Sequence, residues 1–165
     1  MPADLPECVE ILRSVHRADG YPRFWPTDPA RRIASKRELV AWVARDAASR
    51  ICGHVSLHQV GDGPDADLWT ASGLGPQRLM GLNRLFVARA HRRSHVGETL
   101  MITATRYAHQ HGVQPALDVA QHGSAAIALD ERLGWRRVGE WELTVDAKRS
   151  LPLFAYAGPP PSGLL

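Results

Sequence analysis

The sequence predicts an α/β fold, a mixed sheet with helices on both sides, and three stretches carry that prediction. Ile51, Gly53, Val55, Leu57 and Gln59 alternate with Cys52, His54, Ser56, His58 and Val60, the period of a strand. The stretch Leu82–Val87 ends on the apolar run Leu85-Phe86-Val87. It feeds a loop and then a helix with Leu100, Ala104, Tyr107, Ala108 and His111 at helical spacing. Gln114–Val119, with Ala116, Leu117 and Val119, is another buried strand, and a helical segment follows it. Strands interleaved with helices in this way bury the faces of a sheet beneath the helices.

The remaining elements follow in order. Asp4 stands three residues before Glu7 as an N-cap, with Pro6 in the first turn. Leu5, Cys8, Val9, Leu12, Val15 and His16 then form one helical face that ends by Gly20. Tyr21-Pro22-Arg23-Phe24-Trp25-Pro26 is too proline-rich for a regular helix and either lines a pocket or packs over a core edge. Ser35-Lys36-Arg37-Glu38 has capping-box spacing, and periodicity alone carries a second helix from there through Val43. The short Asp46–Ser49 link makes the strand from Arg50 to Val60 one arm of a hairpin. Gly61-Asp62-Gly63-Pro64 is a turn, and Asp65–Arg78 is a short helix or loop. Gly112 closes the long helix. Ser124 caps a short one that Gly134 closes. Arg137–Val145 alternates again, Leu151–Tyr156 is a last strand, and Gly158-Pro159-Pro160-Pro161 marks a frayed tail. With neither repeat nor linker, residues 1–165 are expected to form a single domain, the tail fraying from about 158. A hydrophobic content of 44% is enough to give a chain of 165 residues its own core.

Composition excludes several classes. No apolar run approaches the roughly 18 residues that span a bilayer. The opening MPADLPECVE lacks a basic region followed by an apolar stretch, so no secretory signal is expected. Cys8 and Cys52 lack C-x-x-C spacing and fit reduced thiols in a cytoplasmic protein. A formal charge of +3 suits an anionic ligand. The doublets Arg31-Arg32, Arg92-Arg93 and Arg136-Arg137 are scattered without interleaved aromatics, which argues against nucleic acid. His54 and His58 share one strand face, where such residues are usually at a pocket edge or solvated, and no third metal ligand accompanies them. No metal site is expected.

The stretch from Leu82 to Gly112 holds the chemistry. Its basic loop, His91-Arg92-Arg93-Ser94-His95-Val96-Gly97, leads into a helix whose first N–H groups have no intrahelical partner. Those amides, the helix dipole and two arginines together make an anion site. An ordinary connection with its arginines in water fits the same residues.

Two motifs here resemble a family. Strand, Arg-x-x-Gly-x-Gly/Ala, then helix is the acyl-CoA pyrophosphate signature of the GNAT superfamily of N-acetyltransferases, and Arg92-Arg93-Ser94-His95-Val96-Gly97 is similar to it. Downstream, Ala126-Ile127-Ala128-Leu129-Asp130-Glu131-Arg132-Leu133-Gly134-Trp135 resembles the A-I-A-L-Y-E-R-L-G-F/W segment of bacterial members. The resemblance implies a mostly antiparallel sheet with a splayed central parallel pair, Leu82–Val87 and Gln114–Val119, and a strand already at Ala41–Arg45. It implies that acetyl-CoA is the acyl donor. The backbone of Leu85, Phe86 and Val87 would contact its pantetheine arm, and Arg92, Arg93, Ser94, His95, Val96, Gly97 and Glu98 would wrap its pyrophosphate. The acceptor would be a primary amine of a small molecule or an amino terminus, with Tyr21, Trp25 and Trp69 around it. Members usually open with a strand just before the first helix; here either that strand is missing or the start lies too far downstream, and the sheet edges make a homodimer an expected partner.

The departures bear on activity. His95 stands where the signature has a glycine. Histidine is among the residues that tolerate positive φ, so acyl-CoA binding is expected to persist in weakened form. Asp130 stands where members usually have the tyrosine that protonates the departing thiolate, and it is the candidate catalytic residue. With an ordinary pKa of about 3.9 it would be ionised, burial would turn it into an acid, and a base for the incoming ammonium or a solvated helix residue fits the same position. No glutamate base lies in Gly81-Leu82-Asn83-Arg84, which leaves ordered water or His58, and Gly123 replaces an asparagine that contacts the coenzyme. The expected activity is N-acetyl transfer by direct attack, with a non-catalytic or slow acyl-CoA-binding domain as the alternative.

Overall fold

The computed structural model describes residues 2–61, 63 and 65–162. Among these, six strands form one sheet: β1 (Glu38–Arg45), β2 (Ile51–Gln59), β3 (Leu79–Val87), β4 (Gln114–Ala120), β5 (Arg136–Asp146) and β6 (Arg149–Ala157). Their order is β1-β2-β3-β4-β6-β5. The β3–β4 pair is parallel, and β1–β2, β4–β6 and β5–β6 are antiparallel. The flanking helices are α1 (Leu5–Asp19), α2 (Pro29–Ile33), α3 (Ala66–Ala71), α4 (Val96–Gln110) and α5 (Ser124–Arg132). This is the mixed, mostly antiparallel α/β arrangement expected. Two compact units divide the chain: residues up to His58 with Asn83–Ala104, and Gln59–Leu82 with the residues from Thr105 onward.

In the first unit, α1 buries Cys8, Leu12 and Val15 and ends at Gly20, whose φ of 72° lets its N–H reach His16 O at 2.9 Å. Asp4 makes no side-chain cap; its carboxylate instead meets Arg45 Nη2 at 2.6 Å. Cys8, Leu12, Ile33, Ile51 and Phe86 form the buried cluster, with Tyr21 and Trp25 packed against it. The second helix differs from its expected position. It is α2, capped by Asp28, whose Oδ1 accepts from Arg31 N at 2.9 Å. The residues from Glu38 to Arg45 are a strand. Val40 pairs with Leu57 and Trp42 with Val55, and this cross-strand packing of branched and aromatic side chains overrides the helical spacing of the same residues. The strand begins three residues before the Ala41 start that the family resemblance implied. All of Ile51–His58 is buried, so the alternation in β2 separates two covered faces rather than core from water.

In the second unit, β3 and β4 register from Leu79–Gln114 to Gly81–Ala116, and β4 runs on to Ala120 against Leu153 of β6. Trp69, Leu79, Ala116, Ala155 and Ala157 form its buried cluster. Trp69, expected beside the acceptor, is a core residue only 2% exposed, and its Nε1 donates to Asp65 Oδ2 at 2.9 Å. The expected turn at 61–64 includes Asp62 and Pro64, which lie outside the described residues. Ser124 is the first helical residue of α5, and Gly123 occupies the cap position in its place. The expected fraying does not begin at 158. Gly158 N donates to Pro115 O at 2.8 Å, Gln114 Nε2 to Gly158 O at 2.6 Å and His109 Nε2 to Pro159 O at 2.7 Å.

Candidate active site

The loop between β3 and α4 has the geometry its sequence suggested. Ala88 N donates to Cys52 O at 2.8 Å, and Arg89–His91 make one 3₁₀ turn. Two non-glycine residues then take left-handed conformations, Arg93 at φ 62° and His95 at φ 63°. His95 thus adopts the backbone region that the signature's glycine would supply. Helix α4 starts at Val96, and Thr99 N closes its first turn on His95 O at 3.0 Å. Amides before that closing bond lack an intrahelical acceptor and carry the positive end of the helix dipole. Arg92, Arg93, Ser94 and His95 are exposed, while Val96, Gly97 and Glu98 are half-buried. Arg92 also pairs with Asp19 at the end of α1, and that bond holds the Asp19 carboxyl below its usual range. His95 Nδ1 lies 3.1 Å from Glu98 Oε2.

Upstream of the loop, β3 is kinked at Arg84, whose φ is 54°. Side chains from β2 hold the carbonyls there. His54 Nδ1 donates to Arg84 O at 2.8 Å, and Ser56 Oγ donates to Asn83 O at 3.2 Å. Ser56 Oγ in turn accepts from His58 Nε2 at 2.8 Å, and Ser35 Oγ donates to His58 Nδ1 at 3.2 Å. This pattern suits the neutral Nε2–H tautomer of His58. Burial, reinforced by the charges of Arg84, His54 and Arg37, pushes the His58 pKa down to about 4, and burial also lowers that of His54. Neither histidine is solvated: both are fully enclosed and serve the strand backbone. With both ring nitrogens engaged and little affinity for a proton, His58 is poorly suited to be a base. Beyond the kink, Phe86 stacks on His54 with ring centroids 5.1 Å apart, and Leu85 and Val87 are half-buried.

Asp130 lies in the second unit, on α5, and is 4% exposed. Among the described residues its carboxyl takes no hydrogen bond. Burial, with a smaller contribution from the charge of Glu131, raises its pKa to about 7. The solvated, ionised aspartate is therefore replaced by a carboxyl poised to hold a proton. Glu131 accepts from Tyr156 Oη at 2.7 Å, so that phenol is committed elsewhere. At Gly123 an added Cβ would lie 3.2 Å from Ala120 O, which leaves little room for the family's asparagine.

Sequence reasoning singled out the loop and Asp130 as candidates but not Arg84 or the Ser35–His58–Ser56 chain. An arginine inside a mostly apolar strand was the available signal for the first. The second has none, because it joins residues 23 positions apart. Among the described residues no group of three or more His, Cys, Asp or Glu could hold a metal, and no helix is long and apolar enough to cross a membrane.

Residues 7–135 match the acetyltransferase (GNAT) family. No curated protein matches the chain. Among solved structures it is similar to the ribosomal-protein-S18-alanine N-acetyltransferase from Escherichia coli, at 17% identity and TM-score 0.67, covering 98% of this chain and 90% of that one. It is similar to Arabidopsis thaliana NAA60 in complex with acetyl-CoA, at 19% identity and TM-score 0.66, covering 92% and 93%. It is also similar to a GCN5-related N-acetyltransferase from Kribbella flavida, at 19% identity and TM-score 0.67, covering 96% and 94%. These identities speak for the fold alone, whereas the family match takes in most of the sequence. The chain belongs to the acetyltransferase (GNAT) family.

Proposed function

We propose that this protein, working as one catalytic domain, transfers the acetyl group of acetyl-CoA to the nitrogen of a primary amine in a ternary complex. The observation that carries the reading is the loop before α4, where His95 at φ 63° keeps the turn and brings exposed Arg92 and Arg93 to a helix N-terminus. Arg92 through Glu98 hold the pyrophosphate, and the backbone of Leu85, Phe86 and Val87 receives the pantetheine arm. That NAA60 has been crystallised with acetyl-CoA and with a bisubstrate analogue supports the choice of donor.

The reaction needs a neutral amine, a polarised carbonyl and a stabilised leaving group. The amine nitrogen attacks the thioester carbon, the C–S bond breaks, and the amide keeps the acetyl group. Asp130, carrying a proton up to about pH 7, gives it to the departing thiolate, and the attacking amine loses its proton to water. Orientation alone contributes much of the acceleration, with effective molarities on the order of 10⁵ M or more for well-placed groups. Amine-dependent release of free thiol from acetyl-CoA tests the reading. Thiol released in proportion to acetylated amine supports it; acetyl-CoA binding with no release for any amine class rejects catalysis.

A further inference from the structure

Arg84 stands apart from the other cations of the first unit. It sits half-buried at the left-handed kink of β3, and its Nε donates to Arg32 O at 2.8 Å. That bond fixes the plane of the guanidinium. Among the described residues its two Nη groups meet no protein acceptor, and neither Arg32 nor Arg84 has an ion-pair partner. Arg32 Nε is itself buried without a hydrogen bond. Glu38 is the carboxylate whose charge acts on Arg84, yet it forms no ion pair with it. Glu38 Oε2 is buried and unpartnered, and burial raises the pKa of that carboxyl, which weakens it as a counter-charge. Two guanidiniums thus lie near one carboxylate that forms an ion pair with neither. A partly desolvated cation left unpaired is costly, and a planar fork with both Nη groups open matches an oxyanion with two oxygens side by side.

We propose that the acceptor amine carries a carboxylate, which the Nη edge of Arg84 binds while the Arg32 carbonyl holds the fork in place. The substrate class is therefore an amino acid or a related amino-carboxylate. The inference rests on the transferase reading above. A phosphonate offers the same oxygens with more charge, and the test separates the two.

Thiol release is measured with a panel of amino acids, each paired with its carboxamide and its aminophosphonate counterpart. Wild-type protein is expected to favour the carboxylate over the amide by about 10-fold or more in kcat/KM, as for a lost charge-assisted hydrogen-bond pair. Arg84→Gln is expected to bring that ratio towards one, mainly by raising KM, and Arg84→Lys to restore part of it. Equal rates for acid and amide in the wild type would overturn the proposal without any variant. So would an unchanged ratio in a folded Arg84→Gln protein, a preference for the phosphonate, or no acetylation of any panel member by protein that binds acetyl-CoA. Failure to bind acetyl-CoA would strike the transferase reading instead.

Discussion

Replacing Asp130 by asparagine removes a titration that the fold opposes. The carboxyl releases its proton near 3.8 when solvated and near 7 in the buried site. A folded-state pKa raised in an acid means that the native chain binds the proton more tightly than the unfolded chain. The associated stability is fully present below 3.8, is lost as pH rises between those values, and is gone above about 7. A displacement of about three units corresponds to about 4 kcal/mol, and about 2–3 kcal/mol of it falls between pH 5 and pH 8. The amide of Asp130→Asn lacks this dependence, although its own buried polar atoms impose a constant cost of about 1–3 kcal/mol. Urea unfolding of both proteins at several pH values measures the difference. Stability of the variant relative to wild type should climb by about 2–3 kcal/mol from pH 5 to pH 8, whatever its offset. A difference that stays flat across that range would refute a buried, proton-holding Asp130. The same variant should slow thiol release by about 10²-fold or more, the lower end expected for a lost general acid.

Other outcomes follow from single contacts. A Cβ at Gly53 would meet Val96 Cγ1 at 2.9 Å and Leu100 Cδ1 at 3.0 Å, so Gly53→Val should destabilise by about 1–3 kcal/mol in thermal or urea unfolding. Ser56→Ala takes from His58 Nε2 its acceptor and removes one bond to Asn83 O, and should cost about 1–3 kcal/mol, read the same way. His58→Gln should lower stability yet leave the shape of the rate–pH profile intact; loss of one limb of that profile would reinstate His58 as a base.

Much of the fold was legible because its signals are local. Gly20, Gly112 and Gly134 end their helices at φ values of 72°, 68° and 84°, as glycines just past a helical run should. Periodicity alone misread the residues up to Val43 because helical spacing and strand propensity coincide there, whereas the strand that the family resemblance implied at Ala41–Arg45 is present. Only the partner strand, present at Ile51–Gln59, decides between them. At the site, the basic loop could be read from residue order. The state of Asp130 could not, because its pKa is set by burial that no short window contains. Arg84 was hidden for a similar reason: what distinguishes it is the absence of a counter-charge across Arg32 and Glu38, 52 and 46 positions away in sequence.

Calorimetric titration with acetyl-CoA, run on the wild type and on Gly97→Trp, tests the central claim most directly. The account predicts micromolar binding by the wild type, and its disappearance in a folded variant whose indole fills the phosphate loop. A folded wild type that binds no acetyl-CoA, or a variant that binds it equally well, would contradict the assignment of the loop from Arg92 to Glu98 as the coenzyme site.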